Sequence, residues 1–237
     1  MTRVLDIDLD FFLSDVCPFA PEGDRPAESC ARPWTAEETE RFLTRNLLLD
    51  DRRPVPGRVF DTHEGALFFW RDLMRAGLLT PPFHVTHVDA HTDLGVAQHG
   101  YPFVRHSVLS RPVASRADID AYLDMKQLNE ANYLMFALAF RWVSALENLR
   151  IPASRPDMPA GVLTPDGECL RLESAFPSLF EARYGAEPRI PYREYPDGRG
   201  YSAREPFDFL SVARSPRYAP RAADALLNVF APFIVPV

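Results

Sequence analysis

The sequence predicts an α/β fold with a mainly parallel sheet, and three observations carry that reading. Short runs of branched apolar residues alternate along the chain with longer stretches of helical spacing. The opening run, Arg3-Val-Leu-Asp6-Ile-Asp8-Leu-Asp10-Phe-Phe12, repeats with period two, as a strand does. Aspartates and histidines collect at the carboxyl ends of two such runs, where open α/β sheets place their sites.

The elements follow in order. Residues 17–33 are rich in Pro, Glu, Asp and Gly and read as a loop. Thr35-Ala-Glu-Glu38 is a capping-box sequence for a helix running through Phe42, Leu43 and Leu47. Residues 58–63 form a short strand or strand end, and 64–77 form a helix closed by Gly77. Pro81-Pro82 breaks the chain before a strand over 83–88, with the run Asp89-Ala-His91-Thr-Asp93 at its end. A polar loop covers 95–104. Apolar spacing through Tyr133, Phe136, Phe140 and Val143 predicts helix over 118–149, with Ser115 as a cap. Residues 152–200 are dense in Pro and Gly, with short strands near Val162 and Cys169. A strand over 207–213 and a helix over 221–230 close the chain.

The bulk properties bound the rest. A length of 237 residues with 46% hydrophobic content suits one domain, residues 1–237, with a substantial core. A net charge of −7 argues against nucleic-acid or anionic-membrane partners, and no uncharged run is long enough to span a bilayer. Cys17, Cys30 and Cys169 are odd in number, widely spaced and without a C-x-x-C pair, so neither a zinc knuckle nor a disulfide framework is expected. Asp6 and Asp8 stand where a signal peptide would need apolar residues, and the expected location is the reducing cytoplasm. Lys126 is the sole lysine, so lysine-based covalent catalysis is not indicated.

The chemistry lies in the histidines. All six fall between His63 and His106, interleaved with aspartates. On an extended strand Asp89, His91 and Asp93 would share a face, as would Asp6, Asp8 and Asp10. Alternating aspartates can instead mark an exposed edge face. The flanking Val4, Leu5, Phe11 and Phe12 favour burial, and buried carboxylates need a cation or partner. His87 shares the parity of Asp89 and stands behind it, whereas His84 is an ordinary strand-end histidine. Trp70, at helical spacing from His63, reads as core.

Asp89-Ala-His91-Thr-Asp93 matches the Asp-Ala-His-x-Asp motif of the arginase and agmatinase superfamily, and the chain resembles that group elsewhere. Leu5-Asp6-Ile-Asp8-Leu-Asp10 resembles its other metal strand, and His63 the lone histidine that completes its two-metal site. Asp6 to Phe12, His63-Glu64 to Trp70, and Asn132-Tyr133-Leu134 resemble a branch that includes peptide arginases. Those enzymes convert arginine side chains of ribosomal precursor peptides to ornithine. The resemblance touches most of residues 4–143 and, more loosely, the tail from Ser211 to Tyr218. It departs from ordinary arginases in motif order, since the Asp-x-Asp strand comes first here. The Asp-Pro after that strand and the Gly-Gly-Asp-His motif are absent.

The resemblance implies a three-layer α/β/α arginase-like fold and two Mn2+ ions held by Asp8, Asp10, His63, Asp89, His91 and Asp93. Asp6 is a third ligand of that strand or stands behind the ions, and the spacing also allows Asp6 and Asp8 as the pair. An oxygen and imidazole donor set without thiolate suits manganese and accepts iron, cobalt or zinc. The implied reaction is hydroxide attack on the guanidinium carbon of arginine in a precursor peptide, with release of urea. His106 is the first candidate for proton shuttle and His99 the second. Glu64 and Glu130 are equal candidates for the carboxylate facing the guanidinium, with Asn132 orienting substrate through its amide. Three other readings stand beside it: hydrolysis of a free guanidino compound, single-metal amide hydrolysis as in deacetylases, and a metal-binding regulatory protein.

Overall fold

A computed structural model describes residues 1–95 and 100–237. Its strands are β1 (Arg3–Asp8), β2 (Val55–Phe60), β3 (Phe83–Val88), β4 (Val143–Leu149), β5 (Cys169–Leu170), β6 (Ile190–Tyr195), β7 (Phe209–Ala213) and β8 (Ile234–Pro236). Its α-helices are α1 (Ala36–Arg41), α2 (Gly65–Arg75), the single turn α3 (Tyr101–Phe103), α4 (Ile119–Asp124), α5 (Tyr133–Ala139), α6 (Pro177–Tyr184) and α7 (Leu227–Phe230).

The strands form one sheet in the order β5-β6-β4-β3-β1-β7-β2-β8. Every described pairing is parallel except β5 against β6. From the central β1 the chain goes out past β7 to β2, then returns to β3 on the other side of β1. That reversal opens a crevice at the carboxyl ends of β1 and β3, the general ligand position of such sheets. The α/β class and mainly parallel sheet agree with the sequence pattern, and the arrangement is compatible with three layers.

Side-chain alternation sends the sheet into two cores. Val4, Phe83, Val85, Leu146 and Phe209 face one core, covered by α2, α4 and α5. Leu5, Ile7, Val88, Leu149, Leu210 and Val212 face the other, covered by the turn after β1, the segment Phe42–Asn46 that continues α1, and α7. Asp6 and Asp8 have the parity of Val4, so they point to the α2 and α5 face. On that face Asp6 is flanked in register by His87 on β3 and Ser211 on β7. Trp70 of α2 is fully buried and donates its indole N–H to Ser211 Oγ at 3.0 Å, which places it in the core.

Several local expectations are corrected. The helix predicted over 118–149 is broken: α4 and α5 are separate, and Val143–Leu149 is the strand β4. Every residue of α5 is buried, so its apolar run carries no face preference, and Val143, Leu146 and Leu149 of the strand that follows continue it at near-helical spacing. The closing helix is a 3-10 segment, Arg221–Leu226, continued by α7. The capping box at Thr35 and Glu38 is present. Cys17 and Cys30, expected unpaired, are joined in a disulfide with Cα atoms 5.5 Å apart. The loop folds back on itself, with Ser14 N donating to Arg32 O at 2.9 Å, and this return brings the two cysteines together. Cys169 is free. Among the described residues no helix is long and apolar enough to cross a membrane.

On the α7 face, Glu147 of β4 accepts from Thr86 Oγ1 at 3.0 Å and Tyr201 OH at 2.8 Å, with His84 Nε2 at 3.3 Å. Burial opposes its ionisation, but these partners outweigh burial and hold the carboxyl at about 2, below its ordinary 4.5. A folded-state value below the unfolded one means stability that is present above 4.5 and lost as pH falls toward 2. Urea unfolding of the wild type across that interval should therefore show a steep acid limb. Glu147→Gln should flatten it, and an unchanged slope would remove Glu147 from the acid transition.

Candidate metal centre

The site is built where four strand exits converge. β1 supplies Asp6 and Asp8, then ends, and the chain tightens into a 3-10 turn, Leu9–Phe12. Asp8 caps that turn by accepting from Asp10 N at 2.9 Å. Asp10 is thus placed by a turn, not by the strand alternation the sequence suggested. β3 likewise ends at Val88, before Asp89. The following residues bend, with Asp89 Oδ1 accepting from His91 N at 2.6 Å and Asp93 in the left-handed region at φ 49°. Aspartate enters that region more readily than branched residues do. His63 arrives from the exit of β2, just before α2. Ser215 arrives from β7, also left-handed at φ 46°, and donates to Asp8 Oδ2 and, through its backbone N, to Asp61 O. Non-glycine strain of this kind gathers at functional sites.

The donors meet at ligand-like spacing. His63 Nδ1 lies 3.0 Å from Asp89 Oδ2, 3.0 Å from Asp93 Oδ2 and 3.3 Å from Asp8 Oδ2. His91 Nδ1 lies 2.9 Å from Asp10 Oδ2 and 3.4 Å from Asp89 Oδ1. Ligands about 2.1 Å from a divalent ion in adjacent octahedral positions stand about 3.0 Å apart, so both sets have the spacing of a coordination shell. Asp8, His63 and Asp89 form one group able to hold an ion, and Asp10, Asp89 and His91 another. Asp89 belongs to both, with one oxygen turned to each. The cleft leaves about 10 Å³ among these residues, with Glu130, Ser215 and Tyr218 completing its lining.

Asp6 lies deeper. It is fully buried, with His63 Nε2 at 3.4 Å, His87 Nδ1 at 3.2 Å and the hydroxyl of Tyr133 donating to Oδ2. It therefore anchors the back of the ligand cluster, and Asp8 and Asp10 are the aspartates of this run that line the cleft. His87 stands between Asp6 and Asp89, as its parity predicts.

Charge explains why the cluster suits a cation. Burial opposes ionisation throughout. For Asp10 burial is reinforced by Asp8 and Asp89, and for Asp93 by Asp89, so both carboxyls are pushed well up. Burial works against Asp6 and Asp89 too, but the adjacent imidazoles outweigh it and hold both carboxyls below the ordinary range. Burial would lower the pKa values of His63 and His91, yet the surrounding aspartates raise them well above normal. Both nitrogens of His63, His87 Nε2 and Asp6 Oδ1 are buried without a hydrogen-bond partner. A cation held by His63 Nδ1 and the surrounding carboxylates would satisfy that nitrogen and take the place of the protons that the raised Asp10, Asp93, His63 and His91 otherwise hold, so the residues fit a metal.

The other predicted residues are scattered. Glu130 lines the cleft and pairs with Arg217 Nη1 at 3.2 Å. Glu64 accepts from Thr62 Oγ1 at 2.8 Å, its pKa raised by burial, and is not part of the cleft lining. Asn132 accepts from Asn129 N at 2.9 Å and donates to Gln127 O at 2.9 Å, which orders the approach to α5. His106 is exposed and packs on Phe176, with ring centroids 5.7 Å apart, so it does not join the cleft. Its sequence distance from Asp93 is absorbed by α3 and the segment Val104–Val108, which carry it to the surface. His99 lies outside the described residues.

Sequence reasoning gave no role to Ser215, Tyr218 or the hydroxyl of Tyr133, although the resemblance touches the segments that hold them. It also missed Arg150 and Asp157. Arg150 is 3.1 Å from Asp157 and donates Nε to Ala90 O, while Asp157 accepts from Thr92 N at 3.0 Å, fixing the Asp89–Asp93 loop from behind. Comparison with protein-family models finds none that matches this chain, and comparison with curated proteins finds no match.

A ligand that binds only the folded state stabilises by about 2.7 kcal/mol at a hundred times its dissociation constant. Manganese should therefore raise the thermal midpoint reversibly, with EDTA restoring the starting value. His63→Ala should abolish the shift, and a shift that survives in this variant would place the metal elsewhere.

Proposed function

We propose that this protein is a dinuclear manganese hydrolase, of the arginase and agmatinase kind, that converts arginine within a peptide to ornithine and urea. The observation that carries the reading is Asp89, shared between a group with His63 and Asp8 and a group with His91 and Asp10. A bridging carboxylate between two mixed oxygen and imidazole sets, without thiolate, is an arrangement for two borderline-hard ions at close range. When bound, such ions supply hydroxide near neutral pH.

The chain's own residues do the rest. Ser215 donates to Asp8, and the Arg150–Asp157 pair holds the Asp89–Asp93 loop, so the donors are positioned before any ligand arrives. Glu130 gives the cleft lining a carboxylate beyond the ligands, suited to a guanidinium, and is favoured over Glu64 because it lines the cleft. Tyr218 offers a hydroxyl beside it, and burial together with Glu130, Asp93 and Asp10 keeps that hydroxyl protonated. Departure of the amine requires a proton, and His106 is too exposed on the surface to supply it directly. Arginine held in a peptide, rather than free arginine, follows from the likeness of the Asp6–Phe12, His63–Trp70 and Asn132–Leu134 motifs to the peptide-arginase branch.

Mass spectrometry of arginine-containing peptides and free arginine after incubation with manganese-loaded protein tests this directly. Each converted arginine loses CH2N2, the reaction stops with EDTA, and His91→Ala and Asp8→Ala fall to background while circular dichroism shows the fold retained. No mass change in any guanidino substrate, with metal loading confirmed, would overturn the proposal.

A further inference from the structure

A second cavity of about 400 Å³ opens directly above the metal cleft, lined by Cys17, Phe19, His91, Asp93, Ala131 and Tyr218. It shares His91, Asp93 and Tyr218 with the cleft, so a molecule reaching the cleft by this side passes through it. Next to the cleft it has Asp93, His91 and Tyr218, which the two share, with Glu130 adjoining, and Phe19, Ala131 and the Cys17 end of the disulfide line the rest.

The outer wall is held in place. Phe19 and Tyr218 are in ring contact, with centroids 5.2 Å apart, and Tyr218 also touches the His91 ring at 5.3 Å. Arg217 lies over the Phe19 ring with its guanidinium carbon 3.9 Å from the centroid, and its Nε donates to Ala20 O at 3.0 Å. Ala20 N returns a bond to Arg217 O at 2.9 Å. The disulfide to Cys30 fixes the start of the same segment. Phe19 nevertheless remains 54% exposed, a large apolar ring at the mouth of an acidic cleft. Arg217 also pairs with Glu130, so the chain's own guanidinium already rests on one ring and one carboxylate of this mouth.

We propose that this cavity is the stem subsite, in which Phe19 and Tyr218 select an unbranched aliphatic chain that ends in a planar cation. The inference rests on the guanidino-hydrolase reading above and adds the residues that decide which guanidino compounds fit. An apolar lining next to an acidic cleft matches a flexible methylene stem with a charged head. They exclude ligands whose polar groups begin close to the head, because those groups would be desolvated against the two rings.

The test compares n-butylguanidinium with guanidinium by calorimetric titration of the manganese-loaded protein. Each methylene buried strengthens binding about fourfold, so the butyl compound should bind at least about tenfold more tightly than guanidinium. In Phe19→Ala that ratio should fall toward one, while guanidinium affinity and manganese content stay unchanged. Phe19→Leu, which restores an apolar wall, should recover most of it. Phe19 is exposed at the lip, so neither variant disturbs the core. A ratio unaltered in Phe19→Ala, or no binding of either probe to the loaded wild type, overturns the subsite. If the ratio behaves as expected but peptidyl arginine is not converted, the cavity stands and the reaction falls. If conversion proceeds with a ratio insensitive to Phe19, the reaction stands and the subsite falls.

Discussion

The structure depends on one electrostatic constraint, the crowding of Asp6, Asp8, Asp10, Asp89 and Asp93 with His63, His87 and His91 in a volume from which water is largely excluded. Isolated buried carboxylates cost several kcal/mol each, and here they repel one another as well. The surrounding architecture answers that cost. Tyr133, Ser215 and the amide of Ala90 donate to Asp6, Asp8 and Asp10 respectively. What these donors leave is a set of orphaned imidazole nitrogens and paired carboxylate oxygens at coordination spacing. A cation completes it.

The parallel sheet makes this crowding geometrically available. Strand exits at β1, β2, β3 and β7 all open on the same edge, so residues far apart in the chain, such as Asp8 and Ser215, meet there. The face that receives Asp6 and Asp8 is the one covered by α2 and α5, whose beginnings bring in His63 and Tyr133. A single choice of strand parity therefore determines which helices contribute to the site. The rim is supplied by the least regular parts of the chain: the disulfide-closed loop with Phe19, the turn with Tyr218, and Glu130 before α5.

Much of this was legible in the sequence, for physical reasons that differ between residues. Charges that recur inside apolar runs have few bland explanations, so the clustered aspartates and His63 and His91 stood out. Their exact placement did not, because the strands stop at Asp8 and Val88 and turns do the final positioning. The fold class followed from alternating runs, yet β4 reads as helix because its buried apolar residues, Val143, Leu146 and Leu149, recur every third position. The pairing of Cys17 with Cys30 depends on a loop return that spacing does not encode. His106 illustrates the opposite failure, since its distance along the chain matched a role that its surface position does not serve.

The central claim is that one carboxylate, Asp89, couples two metal positions. Electron paramagnetic resonance of the protein titrated with manganese examines it most directly. The account predicts an exchange-coupled pair signal in the wild type that disappears in Asp89→Asn. A spectrum of isolated ions at full loading, unaffected by that substitution, would contradict it.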